Sequence, residues 1–315
     1  MTSSLDGRIH LEPGHRAVGE SVAARLNTAA GKREAVKVEC SDFDGVKYRV
    51  EMLDDKDTLS VSLATRNFAE IKDAVGEKYF LDKYPAMMAQ PEDGYSITVK
   101  IALSTLPDGG VDAEALVRQL SCMKRDVIGA PLYVCFAALA SGSRAPRAHY
   151  VINYRPSEAM YVVPSTDLVV VVYSIAFTDP VERAIAKVFL QEIEISRRQS
   201  RDLATAPSVT YTQEAPHELK MLRLDLKEPS SPNFVGFVSL AISKRNVEGD
   251  KLTKVLSLVE GYRTYLMYHV QGTKSQLHTR IRSRSTNWLQ VLNRAMPDKM
   301  STEKKTITGR TFKRG

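Results

Sequence analysis

Residue types that can do catalysis occur in this sequence, but not at the spacings of a known active site. His217-Glu218 has no second histidine one turn later, which a zinc-dependent hydrolase helix requires. Gly31-Lys32 lacks the earlier glycine and the following Ser or Thr of a phosphate-binding loop. His269 and His278 are nine residues apart, so a helix would place them on opposite faces. We therefore predict no catalytic residues, no cofactor and no enzymatic activity.

The acidic residues between Asp42 and Asp57 could suggest a calcium site. They lack the ligand spacing and the closing glutamate of a calcium-binding loop. Aspartate favours tight turns because its carboxylate accepts hydrogen bonds from the nearby backbone. We interpret these residues as turn residues and predict no metal site. The cysteines form no C-x-x-C pair, and their odd number and wide separation favour a reducing, cytoplasmic setting: Cys40, Cys122 and Cys135.

The most distinctive chemistry is the positive charge of the C-terminus. The chain has a formal net charge of +7, yet the residues from Lys274 onward carry +9, so the preceding part is slightly negative. Between Gly261 and Pro297 there is no Asp or Glu. A solvated helix usually mixes its charges, so this pattern favours an acidic partner surface. The candidate residues for that contact are Arg280, Arg282, Arg294, Lys304, Lys305, Arg310 and Lys313.

The element that must position these arginines is the stretch from Asn246 to Ala295. Its apolar residues come in pairs four residues apart, and each pair follows the last by eleven residues, which keeps them on one helical face. We predict one long, nearly straight helix of about 75 Å. A module of about 100 residues cannot cover such a rod. The stripe then faces a partner chain through Val255, Val259, Leu266, Val270, Leu277, Ile281, Arg284, Trp288 and Leu292.

Two positions in this helix distinguish the partner face from the rest. Arg284 lies nearly within the stripe, where its stem can pack against the partner while its charged end reaches out. Arg282 lies roughly opposite the stripe and is available to another ligand. The competing interpretation is a core helix of one larger domain, because 315 residues leave room for such a core.

The remaining sequence predicts an α+β protein with two similar α/β modules, each built on an antiparallel sheet, followed by the long C-terminal helix. The order strand, strand, strand, helix, strand, helix occurs twice, with a turn at Asp44-Gly45, a second turn at Asp54–Asp57, and strands that begin at Gly94 and Gly236. A helical stretch from Asp112 to Leu139 is predicted to break at Pro131, and Asp179-Pro180 is predicted to start a helix. The predicted domains are residues 1–142, 143–245, 246–296 and a basic tail 297–315. No apolar run is long enough to span a membrane, and the N-terminus lacks a signal-peptide core.

Several motifs resemble one known family. They include Asp42-Phe43-Asp44-Gly45-Val46, Lys187-Val188-Phe189-Leu190-Gln191-Glu192, His278-Thr279-Arg280-Ile281-Arg282, Val291-Leu292-Asn293-Arg294-Ala295 and Lys305-Thr306-Ile307-Thr308-Gly309-Arg310. In this order they resemble subunit 2, the p34 subunit, of the actin-related protein 2/3 complex. The resemblance implies a scaffold without catalytic function at the actin cytoskeleton. It also implies a C-terminal helix that packs antiparallel against subunit 4, contacts with other subunits of the complex, and contact with the mother filament during branched nucleation.

A nucleic-acid-binding module is the alternative that the basic C-terminus leaves open. Its positive charge fits a phosphate backbone. Only Trp288 and Phe312 interleave aromatic rings with the charges, and no RNA- or DNA-binding motif is present. The two hypotheses differ in the expected ligand, an actin filament in one case and a polyanion with a steep salt dependence in the other.

Overall fold

The first sheet is a meander extended by two further strands. The computed structural model describes residues 13–29, 32–52, 54–105, 113–201, 206–224, 226 and 230–295. Strands β1 to β3 pair antiparallel in chain order, and β5 then joins β3 and carries the short edge strand β4. Their bounds are β1 Val36–Ser41, β2 Lys47–Met52, β3 Thr58–Ala64, β4 Met88–Ala89 and β5 Ile97–Ala102. The turn predicted between β1 and β2 is confirmed. There the Asp42 carboxylate accepts hydrogen bonds from the backbone N–H groups of Asp44 and Val46 at 2.9 and 3.0 Å.

The second sheet repeats this topology. Its strand order β6-β7-β8-β10-β9 matches β1-β2-β3-β5-β4 position by position, including the edge strand inserted before the last central strand. The bounds are β6 Tyr150–Arg155, β7 Glu158–Pro164, β8 Leu168–Ala176, β9 Ser208–Thr212 and β10 Phe234–Ser243. The predicted short strand at Val209–Tyr211 is therefore present as β9. The two antiparallel sheets confirm the α+β class and the duplicated order of elements.

Helices pack against both sheets, and in the second sheet Leu219 packs with Tyr161 and Phe237 on the face away from the shared core. Those before the second sheet are α1 Arg16–Leu26, α2 Phe68–Val75, α3 Glu77–Lys83, α4 Ala113–Ser121, α5 Met123–Ile128 and α6 Ala130–Ser141. The helical stretch predicted to break once at Pro131 is interrupted twice, at Cys122 and at Gly129, where a Cβ atom would lie 2.4 Å from the carbonyl oxygen of Arg125. Pro131 falls in the first turn of α6, where its missing N–H costs no hydrogen bond. After β8 come α7 Pro180–Gln199 and α8 His217–Leu222.

The core is shared by both sheets. One contiguous apolar cluster contains Val50 and Val61 of the first sheet together with Val171 and Tyr173 of the second. Helix α6, which follows the first sheet in the chain, packs against β7 and β8 of the second sheet and against α2. Burial on this shared core fixes the two sheets as one body. The division at 142/143 stays a prediction of the sequence.

The prediction of one uninterrupted helix from Asn246 to Ala295 is wrong. The segment consists of α9 Lys244–Val247, α10 Lys251–Glu260 and α11 Tyr262–Ala295. Gly249, with a φ of +59°, takes the left-handed conformation that glycine adopts most easily and ends the first piece. The second interruption is slight, because the Gly261 N–H still bonds Ser257 and the Gly261 carbonyl still accepts from Tyr265, both at 3.0 Å.

The chain divides into two compact units at a different place from the predicted start of the C-terminal helix. The first unit spans Met1–Val270 and contains both sheets, α9, α10 and the start of α11. The second unit spans Gln271–Gly315. Within the residues described above, no helix combines the length and apolar character that a membrane crossing needs.

Candidate interaction site on the C-terminal helix

The first part of the apolar stripe is covered by this chain itself. Leu266 and Val270 are completely buried, Val259 is almost so, and Val255 is partly buried against the same core. The Tyr173 hydroxyl of β8 also donates a hydrogen bond to the Val259 carbonyl at the end of α10. These four stripe residues are therefore core residues, and their predicted role as a partner interface is corrected. A module of about 100 residues would not cover this stripe, but α5, α6 and α9 pack against α10, and Tyr173 of the second sheet reaches Val259.

A buried ion pair fastens the start of α11 to the second sheet. The Arg263 guanidinium, only 3% exposed, donates to both carboxylate oxygens of Glu158 at 2.9 and 3.0 Å. It also donates to the Ala176 carbonyl at 3.2 Å and lies 4.4 Å from the centre of the Phe177 ring. Glu158 accepts a further hydrogen bond from the Ala176 N–H at 2.7 Å. These contacts satisfy most polar atoms of the buried pair, although Arg263 Nη1 has no hydrogen-bond partner among the described residues.

A second group of charges joins the first hairpin to the same helix. The Asp44 carboxylate binds Lys124 of α5 and Arg155 of β6, each at 2.5 Å, and accepts a hydrogen bond from Thr264 of α11 at 2.8 Å. Lys124 lies 3.8 Å from Glu260, the last residue of α10. We call Asp44, Lys124, Arg155, Glu260 and Thr264 the junction cluster. It connects both sheets with the α10–α11 boundary.

The two carboxyl groups of the junction cluster, Asp44 and Glu260, have pKa values shifted in opposite directions. Burial alone would raise the pKa of Asp44, but Lys124 and Arg155 outweigh it and hold that pKa well below its usual range. Burial raises the pKa of Glu260, an effect that Lys124 only partly offsets and that Asp44 reinforces. Asp44 therefore stabilises the fold as a carboxylate. The sequence indicates only a turn role for Asp44, because the partners of its carboxylate come from distant parts of the chain.

The later part of the stripe has a different environment. Leu277, Ile281, Trp288 and Leu292 are 42%, 53%, 63% and 42% exposed. Val291 is exposed on the same face and extends the stripe, and Leu289 is exposed to one side. The four-residue pattern of pairs did not include Val291 or Leu289, although each is visible in the sequence as an apolar residue beside a stripe member. This exposed row remains the predicted interface with a partner chain.

The predicted basic residues accompany this exposed row. Arg280, Arg282, Arg284 and Arg294 are exposed on α11, in a stretch that contains no acidic residue. Arg284 lies on the side of the apolar row and Arg282 well away from it, as the helical spacing predicts. Four further candidates lie outside the described residues: Lys304, Lys305, Arg310 and Lys313. The exposed arginines beside an apolar row are suited to binding another protein surface.

Among the described residues, no group of three or more His, Cys, Asp or Glu side chains is placed to hold a metal ion. The described histidines of α11 instead make ring contacts or lie exposed. His269 stacks on Phe189 of α7 with ring centres 5.3 Å apart, and it contacts Tyr265 at 4.4 Å. His278 lies in the exposed part of the helix. These contacts give His269 a packing role in fastening α11 to α7.

Comparison with known proteins points to one family. The model of the family described as "Arp2/3 complex, 34 kD subunit p34-Arc" matches residues 61–299. A similar protein of Dictyostelium discoideum, named actin-related protein 2/3 complex subunit 2, is 34% identical over 87% of this chain and 89% of its own length. The Schizosaccharomyces pombe protein of the same name is 31% identical over 87% of this chain and 90% of its own length.

Proposed function

This chain belongs to the p34-Arc family, the 34 kD subunits of the Arp2/3 complex, and on that premise we propose that it is a non-enzymatic scaffold and filament-binding subunit. In this proposal the chain acts in the cytoplasm, at the actin cytoskeleton. Its C-terminal helix packs antiparallel against subunit 4 to form the structural core of the complex. The same region contacts the side of the mother filament during branched nucleation.

The observation that carries this proposal is the exposed part of α11 from Gln271 to Arg294. Every described side chain in this stretch is exposed except Lys274, which is half-buried. Large apolar side chains left in water forgo about 1.5–3 kcal/mol each. A row of them along one helical face therefore favours a partner that covers it. A helix from another subunit fits a row with this spacing, because side chains three and four residues apart form one continuous ridge.

The charge of the same segment supports the filament contact. Actin's surface is acidic, and Arg280, Arg282 and Arg294 are exposed without a neighbouring carboxylate in the sequence of α11. Arg282 is the best placed of these, because it lies away from the apolar row and stays accessible when that row is covered. Charges at the border of an interface act mainly on the rate of encounter and on salt sensitivity. We therefore expect filament binding to weaken as ionic strength rises.

Assembly is tested by replacing Leu277 and Ile281 together with Asp in the co-expressed complex. Burying two carboxylates in an apolar helix pair is unfavourable, so subunit 4 should no longer co-purify with this chain. Thr279→Asp, at an exposed position on the opposite side of the helix, is the matched control and should assemble normally. A complex with the usual elution volume and subunit ratio for the double variant would contradict the interface.

Filament contact is tested with Arg280→Glu and Arg282→Glu in the assembled complex. The double variant should assemble normally but sediment less with actin filaments, because its charges now repel an acidic surface. Gln290→Glu changes charge elsewhere on the exposed part of the helix and serves as the control. Unchanged co-sedimentation would remove these two arginines from the filament site. Binding to DNA with a steep salt slope and no binding to actin would favour the nucleic-acid hypothesis instead.

A further inference from the structure

The outward face of α7 carries a second apolar row, separate from the one on α11. Val181, Val188 and Ile195 are exposed and recur every seven residues along Pro180–Gln199. Ala184 is exposed between the first two, on the same side of the helix. The opposite side holds the buried Ala186 and Leu190, and the helix packs against β9 and β10. Helix α7 therefore has apolar residues on two sides, of which one is covered.

This spacing is informative about the shape of a partner. Single exposed apolar residues are ordinary on protein surfaces. A surface helix with one buried face, however, usually presents charged or polar residues on the other. β-branched residues every seven positions are typical of one half of a helix–helix seam, in which each side chain inserts between residues of the facing helix. The row on α7 consequently fits another helix better than a flat surface.

Charges along the two borders of the row indicate which helix would fit. Lys187 and Arg198 lie along one border, and Glu192 lies along the other. The Arg198 guanidinium is held by Glu194 one turn earlier, at 2.6 Å. Because Arg198 is already paired, a complementary helix would carry a carboxylate beside Lys187 and a basic residue beside Glu192. Opposite charges at such flanking positions set the orientation of a pairing helix.

The size of the surface limits the kind of partner. A helix of twenty residues is about 30 Å long. One face of it is smaller than the roughly 800 Å² that each partner contributes to a stable standard interface. The row is therefore too small to hold a second copy of this chain by itself. It is sufficient for a subunit that is already held elsewhere in the same complex, because such a subunit loses little further freedom on contact.

The base of α7 is well fixed, which favours a preformed docking surface. The Asp179 carboxylate caps the helix by accepting hydrogen bonds from the Val181 and Glu182 N–H groups at 2.7 and 3.2 Å. Phe189 stacks on His269 with ring planes 18° apart. We propose that the exposed face of α7, defined by Val181, Ala184, Val188 and Ile195, receives an amphipathic helix of another subunit of the complex. This surface goes beyond the proposed pairing through α11.

Site-specific photo-cross-linking tests the surface in the intact complex. A photoreactive phenylalanine analogue at Val188 should cross-link to a helical peptide of another subunit, identified by mass spectrometry. The same analogue at Ser196, which is exposed but lies off the row, should give about tenfold less product. A cross-link only to a second copy of this chain, or equal yields at both positions, would overturn the proposal.

A charge variant provides an independent readout. With the photoreactive analogue at Ala184, Val188→Glu together with Ile195→Glu should reduce the cross-link to that subunit by about tenfold or more, while Ser196→Glu leaves it unchanged. Thermal unfolding of the free chain should be the same for both, because all three positions are exposed. The α11 variant with Asp at Leu277 and Ile281 is analysed in parallel. Loss of subunit 4 in that variant together with an undiminished cross-link in the α7 variant would refute the α7 surface alone.

Discussion

The two parts of α11 place one sequence pattern in two environments. From Tyr262 to Val270 the apolar stripe is buried in the core, and Arg263 is neutralised by a buried glutamate. From Gln271 to Arg294 the same kind of stripe is exposed, and its arginines have no acidic neighbour in the helix. The periodicity of apolar residues is similar in both. What differs is whether another element of this chain lies against the helix.

This contrast shows how a helix can serve two purposes without changing its pattern. The buried part contributes to folding stability, and the exposed part is available for binding. Mutations in the two parts should therefore differ in the property that they change. In the buried part they should lower the free energy of unfolding of the free chain, and in the exposed part they should change only association.

The largest effect is expected for Arg263→Met. This change leaves the carboxylate of Glu158 buried without its cation, and breaking a buried pair in this way costs about 3–5 kcal/mol of unfolding free energy. Urea unfolding of the free chain measures the loss. The double variant Arg263→Met with Glu158→Gln should recover part of it, because no uncompensated charge remains. An unchanged midpoint for the single variant would show that the ion pair does not anchor α11.

A matched pair of leucines tests the contrast directly. Leu266→Ala removes a completely buried side chain and should cost about 2–5 kcal/mol of unfolding free energy. Leu277→Ala truncates an exposed side chain eleven residues later and should stay within about 0.5 kcal/mol of the parent chain. Both values come from denaturant unfolding of the free chain. Equal destabilisation would mean that the exposed part also packs within this chain.

The junction cluster should give the buried part a specific pH dependence. The pKa of Asp44 is held below its ordinary value of 3.8 in the folded state, so its stabilisation is present above pH 3.8 and lost as the pH falls further. Asp44→Asn should therefore lower stability near neutral pH and make the acid-induced loss shallower.

Glu260 should give stability the opposite pH dependence, and it therefore serves as the control. Its folded pKa is raised above 4.5, so its burial disfavours the folded state increasingly as the pH rises through that value. Glu260→Gln should reduce that penalty rather than the acid-induced loss. Urea midpoints measured from about pH 3 to 7 separate the two residues. If the urea midpoint of Asp44→Asn falls with acid as steeply as that of the parent chain, the role given to Asp44 is contradicted.

The smallest effect on stability, and the most sensitive report on binding, is expected at Trp288. It is the only tryptophan of the chain and is 63% exposed, so its fluorescence reports the exposed part of α11 alone. Pairing with subunit 4 should shift its emission to shorter wavelength, because the indole leaves water. Trp288→Phe should leave the unfolding free energy within about 0.5 kcal/mol of the parent and abolish the signal. An emission spectrum that does not change on assembly would place Trp288 outside the interface.

Much of the fold could be predicted from local patterns. Alternating apolar residues and the turns at Asp44-Gly45 and Asp54–Asp57 indicated the strands β1 to β3, and Asp179-Pro180 indicated the start of α7. The position of the break before α6 was less predictable. The break lies at Gly129, where the backbone approaches the Arg125 carbonyl too closely for a side chain to fit. That close approach depends on how α5 and α6 meet.

The candidate site could be predicted only in part for a related reason. Spacing alone placed Leu277, Ile281, Trp288 and Leu292 on one face of a helix. It could not separate them from Leu266 and Val270, which belong to the same pattern but are buried. Nor could it identify the partners of Asp44, because Lys124, Arg155 and Thr264 are far from it in the chain.

The sequence by itself determined the periodicities, the turns, the charge asymmetry of the C-terminus and the family, because each depends on residues close together or on motifs in a fixed order. Only the tertiary structure decided where the long helix is interrupted, which half of its stripe is buried and which charges are neutralised. Those outcomes depend on contacts between residues distant in the chain. Whether a residue is buried depends on which parts of the chain lie against it. Burial in turn decides whether that residue contributes to folding stability or is available for binding.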